Sequence, residues 1–272
     1  MYNILVANDD GIKFEGINQL VAALSRVGKV YVFAPHEQRS ASSQALTIGK
    51  PFFVRPYNMD FATEAYEVGG TPADCVRVGL QILREKGISV DLVCTGINHG
   101  ANLGSDTMYS GTVSAAAEGV FAGLPAMAVS VVSHEAEYFK GACSLAVQLI
   151  PKVLETKGKG CVVNVNTPNL PPEKIKGVKK AKLGIVKYDD VYDVVGSGES
   201  NDLGTAGNHA GQTDYIYAGK LIKQEKHCDD VDACLIDDGY ATVSVVKYDL
   251  NDYEGLSRLD SWELAKINVN EE

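Results

Sequence analysis

Two neighbouring carboxylates are the first feature of this chain that could do chemistry. Asn8-Asp9-Asp10-Gly11 follows directly on the apolar run Ile4-Leu5-Val6-Ala7. Adjacent carboxylates at one strand end repel each other unless a cation lies between them, and a hard divalent ion prefers oxygen ligands. Gly11 permits a sharp turn there. On the residues alone, an Asx-type turn in which Asp10 helps to cap the next helix explains the four letters equally well. A second group, Arg39-Ser40-Ala41-Ser42-Ser43, is rich in hydroxyls and carries one guanidinium. A hydroxyl can complete a metal shell and an arginine can bind phosphate, although taken alone the segment reads as a polar surface loop. Gly70-Thr71-Pro72-Ala73-Asp74 is a helix start, with Thr71 as N-cap and Pro72 at the first helical position. Capping accounts for it, while a helix N-terminus also suits an anion.

The most informative stretch is Gly96-Ile97-Asn98-His99-Gly100-Ala101-Asn102-Leu103-Gly104, followed by Tyr109-Ser110-Gly111-Thr112-Val113. Asn offers a neutral oxygen to a metal and tolerates unusual backbone angles. Ser110-Gly111-Thr112 opens a helix and makes a hydroxyl-plus-amide nest suited to phosphate. A long Gly-rich loop with ordinary capping is the bland reading, but a loop so poor in apolar side chains, set beside carboxylates, favours function. The histidines His36, His99, His134, His209 and His227 show no H-x-x-x-H spacing, which argues against zinc. His99 is nearest the expected site, and both it and His227 read as surface side chains. The dinucleotide, P-loop and nucleophile-elbow motifs are absent.

These groups need a frame that brings them to one edge. Apolar runs at Asn3–Ala7, Val30–Ala34, Leu46–Arg55, Ala65–Val68, Leu92–Thr95, Ala126–Val132 and Cys161–Val165 read as strands. Helical patterns over Glu15–Val27, Pro72–Lys86, Thr112–Phe121 and Glu135–Leu154 alternate with them. Strands apolar on both faces and separated by helices predict an α/β fold, a Rossmann-like three-layer, mainly parallel sheet with helices on both faces. Ligands bind such sheets at the carboxyl ends of the strands. Beyond Asn166 the pattern changes: Pro168, Pro171 and Pro172 break the chain, Val178–Lys187 is a candidate strand, and Ser197–Asp214 is polar and Gly-rich. Gly239–Lys247 is a further strand, and the tail from Tyr253 reads as a helix whose Leu256, Leu259, Trp262 and Leu264 need a covering surface. One domain is expected over 1–272, with an α/β core at 1–170 and a β-rich extension with an oligomerisation tail at 171–272.

The chain of 272 residues carries 25 basic and 35 acidic side chains, a net charge of −10. That balance disfavours a nucleic-acid polymer as partner, but a single phosphorylated ligand remains compatible with it. The chain lacks the roughly eighteen uninterrupted apolar residues of a membrane span, and Met1–Ala7 does not read as a signal peptide. The six cysteines form no C-x-x-C, and reduced thiols filling core space are expected, consistent with the cytoplasm. Cys228 and Cys234 could pair, but their spacing is not diagnostic.

Taken in order, these blocks resemble the SurE family, the stationary-phase survival proteins that act as metal-dependent nucleotidases. The resemblance rests on Ile4–Ile12, Ala34-Pro35 through Arg39-Ser40, Gly70–Cys75, Gly96-Ile97-Asn98 through Tyr109–Val113, Gly123–Ala126 and Asn164-Val165-Asn166. It is dense over 1–166 and patchy afterwards, where Asp230-Val231-Asp232 and Gly239-Tyr240 match a late block. It implies one divalent ion per subunit, Mg²⁺ or Mn²⁺ (with Ca²⁺ a crystal substitute), held by Asp9, Asp10, Ser40 and Asn98. It implies hydrolysis of nucleoside 5′-monophosphates, and of 3′-monophosphates in some members, with Asp9, Asn98 and Ser110 as the catalytic residues. Asn8, Arg39, Asn102, Ser110, Gly111 and Thr112 are the expected phosphate contacts. A homodimer or homotetramer with an exchanged C-terminal segment is implied as well. Some members carry a histidine just before the last strand; Asp232–Asp238 has none, and His227 lies upstream.

Read physically, such an ion would offset the charge that develops in phosphoryl transfer, with Ser110–Thr112 holding the other phosphate oxygens. Water is the expected nucleophile, because the D-x-D spacing of aspartyl-phosphatases is missing. The competing class is a non-enzymatic metal- and phosphate-binding sensor of the receiver type. That reading needs a phosphoacceptor Asp near residues 50–55, and Val54-Arg55-Pro56 supplies none.

Overall fold

In the computed structural model, residues 1–189, 191–195, 213–220, 222 and 229–262 are described. The expectations for His209, His227, Cys228 and most of Ser197–Asp214 lie outside them. In chain order the elements are β1 (Tyr2–Ala7), α1 (Glu15–Leu24), β2 (Gly28–Pro35), β3 (Val54–Pro56), β4 (Glu64–Val68), α2 (Pro72–Glu85), β5 (Leu92–His99), α3 (Gly111–Phe121), β6 (Ala126–Val132), α4 (Lys140–Leu154), β7 (Cys161–Pro168), β8 (Val178–Lys180), β9 (Tyr192–Val195), β10 (Asp214–Tyr217), α5 (Asp232–Asp237), β11 (Ala241–Lys247) and α6 (Tyr253–Leu259). A short 3₁₀ turn, Gly104–Met108, precedes α3.

The main sheet runs β3-β4-β2-β1-β5-β6-β7-β11-β8. Its six middle strands, β4 to β7 in that order, are parallel, while β3 and β11 pair antiparallel with their inner neighbours. Successive side chains of a strand face opposite sides, and β1 shows the consequence. Ile4 and Val6 join a core with α1 and α4, whereas Leu5 and Ala7 join a second core with α2 and α3. The three-layer architecture follows, because a sheet apolar on both faces must be covered on both.

From β1 the chain first moves outward to β2 and β4, then returns to place β5 on the other side of β1. The order of strands therefore reverses between β1 and β5. This is the topological switch point where open α/β sheets form a ligand crevice. The loop after β1 carries Asp9-Asp10, and the last residues of β5 carry Asn98.

Several expected elements are shorter than their sequence patterns, and three of them show why. Residues 46–53 are not strand, although Val54–Pro56 is. This stretch is held by side chains instead: Thr71 Oγ1 donates to the Ala45 carbonyl at 2.7 Å, and Thr47 N–H donates to the Asp74 carboxylate. The helix expected from Glu135 begins at Lys140, because Asn169 Oδ1 accepts the amides of Glu137 and Tyr138 at 3.0 and 3.1 Å. Val178–Lys187 keeps only the three residues of β8, after which the chain bridges Lys182 to Val231 and leaves the sheet.

Candidate active site

The crevice is built on the end of β1. Asn8 folds over the turn, donating from Nδ2 to the Gly11 carbonyl at 2.9 Å and accepting the Gly11 amide at 3.2 Å. Gly11 sits at φ +115°, a conformation that L side chains avoid. This closed turn puts two carboxylates in the interior: Asp9 is 4 % exposed and Asp10 is 1 % exposed. Asp10 Oδ2 accepts the His99 amide at 3.0 Å, which joins the β1 loop to the end of β5. The Asp9 carbonyl accepts the Arg39 amide at 2.7 Å, which joins it to the loop after β2.

Asp9 faces the start of α3. Thr112 Oγ1 donates to Asp9 Oδ1. Gly111 lies so close that a Cβ there would stand 2.8 Å from Asp9 Cβ and 2.8 Å from Ser42 Oγ, so only glycine fits. Ser110 caps the helix, its Oγ accepting the Val113 amide at 3.0 Å. The amides of Gly111 and Thr112 precede the helix's own bonding pattern and point out of its positive end.

Burial raises both carboxyl pKa values. Asp9 is pushed up to about 6 by desolvation and by the Asp10 charge, against the hydrogen bond from Thr112. Asp10 is raised by desolvation, against the His99 amide, Gln38 and the charge of His134. Among the described residues no Lys or Arg forms an ion pair with either carboxylate.

A divalent cation fits this chemistry. Two buried carboxylates lie together without a Lys or Arg partner, and the neutral hydroxyls of Thr112 and Ser42 lie beside Asp9. Among the described residues no three His, Cys, Asp or Glu side chains cluster as a metal site. Any cation here must therefore draw on neutral oxygens beside the two carboxylates, as hard ions do. The register of β5 with β6 shifts between Thr95 and Asn98, so the strand is irregular just where it reaches the crevice. Asn98 Nδ2 donates to the Gly100 carbonyl at 3.0 Å.

The other expected residues divide. Gly111 and Thr112 lie against Asp9, with Ser110 as the cap just before them. Ser40 is exposed, whereas Ser42 Oγ is buried without a hydrogen-bond partner and lies beside Gly111 and Asp9. Arg39 pairs with Glu37 at 2.7 Å, and its Nε is buried without a partner. Asn102 is tied into a buried ladder: its amide donates to Asn166 Oδ1, its Nδ2 to Ser130 Oγ at 2.8 Å, and its carbonyl accepts from Asn164 and Asn166. These bonds fix the loop that leads to Ser110.

The ring of His99 is half-buried rather than at the surface. It packs edge-on to Phe14 at 5.8 Å and tilted against Phe139 at 5.2 Å. Burial lowers its pKa. Two contributors carried no local signal in the sequence. His134 follows β6 and packs against Gly100, where a Cβ would stand 3.3 Å from its Cε1. Asp232 is fully buried and accepts the amides of Gly104 at 2.7 Å and Gly184 at 3.1 Å. Its membership of the late Asp230-Val231-Asp232 block was the one available pointer.

Residues 4–190 match the family described as Survival protein SurE. The chain is 38 % identical over 269 residues to a 5′-nucleotidase SurE of Synechococcus sp. (strain JA-3-3Ab), covering 97 % of this chain and 98 % of that protein. It is 36 % identical to a 5′-nucleotidase SurE of Pelotomaculum thermopropionicum, with 94 % and 93 % covered. The crystal structure of a SurE protein from Aquifex aeolicus superposes with a TM-score of 0.78 at 34 % identity, covering 96 % of this chain and 99 % of that one.

Proposed function

The chain belongs to the SurE family, and on that premise we propose that it is a 5′-nucleotidase, a metal-dependent phosphatase of nucleoside monophosphates. The observation that carries the reading is the pair of buried carboxylates, Asp9 and Asp10, facing the N-terminus of α3 across one crevice. An anionic floor beside a helix start suits a cation and a phosphate held together.

Asp9, Asp10, Asn98 and Ser40 would hold one Mg²⁺ or Mn²⁺. Since Asn98 Nδ2 is spent on Gly100, its Oδ1 is the atom left to offer. When bound, the ion supplies positive charge to a phosphoryl oxygen that becomes more negative during transfer. The amides of Gly111 and Thr112 and the hydroxyl of Ser110 take the other phosphate oxygens at the positive end of α3. Asn8 and Asn102 act by holding the two loops in place, and Arg39, whose amide is bonded to the Asp9 carbonyl, would offer its guanidinium to the substrate's phosphate. Thr112 orients Asp9 by donating to it, so the carboxylate and the phosphate nest share one rigid mount.

No described helix is long and apolar enough to cross a membrane. The buried thiols of Cys75, Cys94, Cys143 and Cys161 support a reducing compartment such as the cytoplasm. The exposed apolar tail, with Leu250 at 88 % and Trp262 at 65 %, supports a homo-oligomer in which a second copy covers it.

Release of inorganic phosphate from nucleoside 5′-monophosphates tests the reading. Turnover is expected with Mg²⁺ or Mn²⁺, to vanish with a chelator and to return on adding the ion. A purified chain that releases no phosphate from any nucleoside monophosphate, with either ion present, overturns it.

A further inference from the structure

One buried carboxylate near the crevice touches neither of the sites proposed for cation and phosphate. Glu118 lies on α3, about two turns beyond Thr112, and is 5 % exposed. Its Oε1 accepts from Gln44 Nε2 at 2.9 Å, and its Oε2 accepts a longer contact from Arg77 Nη1 at 3.5 Å. A buried carboxylate is costly unless its oxygens are engaged. Here the engagement ties three segments together: α3, α2 and the loop after β2.

That loop needs holding. Ala41 and Ser43 adopt φ of +53° and +51°, a left-handed conformation that non-glycine residues avoid at a cost of about 1 kcal/mol each. Ser40 and Ser42 flank or lie between these two residues. The path that places both hydroxyls is therefore bent twice against local preference, and contacts further along must keep it bent. Ser43 donates its amide to the Tyr109 carbonyl at 3.1 Å, and Thr47 reaches Asp74 on α2. Gln44 is the loop side chain that hydrogen-bonds a side chain of α3, the helix whose first turn faces Asp9.

We propose that Glu118 and Gln44 form a positioning pair, which locks the serine-bearing loop at a fixed distance from the start of α3 and so sets cation affinity without touching substrate. The pair acts through Ser40 and Ser42. Only its catalytic readout rests on the nucleotidase reading. The chemistry of the pair also defines its test. Glu118 accepts at both oxygens, whereas a glutamine there accepts at one only, so Glu118→Gln must lose one partner. Gln44→Glu sets two carboxylates against each other. The double exchange, Gln44→Glu with Glu118→Gln, restores a donor–acceptor pair in reverse and leaves the amide oxygen for Arg77.

Amide hydrogen exchange over residues 40–47 reads loop holding directly, and titration of Mn²⁺ against activity reads its consequence. Gln44→Ala, at a partly exposed position, is expected to fold with a near-normal melting temperature. Its loop amides should exchange about tenfold faster, and its half-saturating Mn²⁺ should rise by about tenfold, as loss of one hydrogen bond of about 1.4 kcal/mol implies. The single Gln44→Glu and Glu118→Gln variants should show the same defects, and the double exchange should recover most of both. Wild-type loop protection and Mn²⁺ response in Gln44→Ala overturn the proposal. So does a double exchange no better than the two single changes combined. If the wild type releases no phosphate, the nucleotidase reading fails, and loop exchange still decides the pair's role.

Discussion

Replacing Asp9 by asparagine should make the metal-free protein more stable while destroying its activity. The carboxyl pKa rises from an ordinary 3.8 to about 6 because the group is desolvated and lies beside Asp10. Between those values the folded chain keeps a proton that the unfolded chain has lost. Stability therefore falls as pH climbs from 3.8 to 6, and the full penalty persists above 6. That displacement corresponds to about 3 kcal/mol. The asparagine side chain would carry no charge, and its amide oxygen could still accept from Thr112. For a chain of this length, with roughly 2 to 4 °C per kcal/mol, Asp9→Asn should melt about 6 °C or more above the wild type at pH 7.5 in chelator. The gap should shrink toward zero as pH falls through 6 to 3.8. Added Mn²⁺ should raise the wild type and leave the variant where it was. Differential scanning calorimetry at several pH values reads all of this. A variant that melts below chelated wild type at pH 7.5, or an offset that ignores pH, refutes the reasoning.

Other expectations can be checked by similar means. Ser110→Ala should cost about 1 kcal/mol as a lost N-cap and lower kcat/KM far more than that; a melting shift with normal kinetics would leave Ser110 as a cap alone. Asp232→Ala should destabilise the fold by about 2 to 3 kcal/mol, since it strands the buried amide of Gly104 and the part-buried amide of Gly184; a thermal melt within about 1 °C of wild type would contradict that. Deleting the residues after Asn251 should give monomers or insoluble protein, read by light scattering, and an unchanged oligomer would show that the tail is not the covering element.

The residues of the central sheet were legible because burial on both faces leaves a near-continuous apolar signal, and Ala126–Val132 even matches end to end. The start of α3 was legible because Ser110 is a strong cap followed by a helix pattern. Local pattern failed where distant side chains decide. Leu46–Arg55 reads like a strand, yet Asp74 takes the Thr47 amide and Thr71 the carbonyl of Ala45 just before it. The first turn expected of α4 was lost to Asn169. At the site, the types of Asp9, Asp10 and Asn98 declared themselves. The partnership of Thr112 with Asp9, separated by 103 residues, did not. Nor did the seating of Ser42, which depends on how closely Gly111 lets the helix approach. The half-buried ring of His99 was missed for a related reason, since its cover comes from Phe14 and Phe139 on separate segments.

Asp232 reaches back 128 residues to hold Gly104, and this has a bearing on synthesis. The strands that carry Asp9, Ser40 and Asn98 leave the ribosome first, and their parallel core can close early. Until residue 232 emerges, the loop leading to Ser110 has no anchor for the Gly104 amide. Until β11 emerges, β7 is an open edge rich in valine, able to pair with any neighbouring chain. The nascent protein therefore passes through a stage with a formed parallel core, a loop before Ser110 that still lacks its Gly104 anchor, and an unprotected border at β7. Completion of α5 and β11 supplies the missing anchor and covers the open edge within one short stretch of translation.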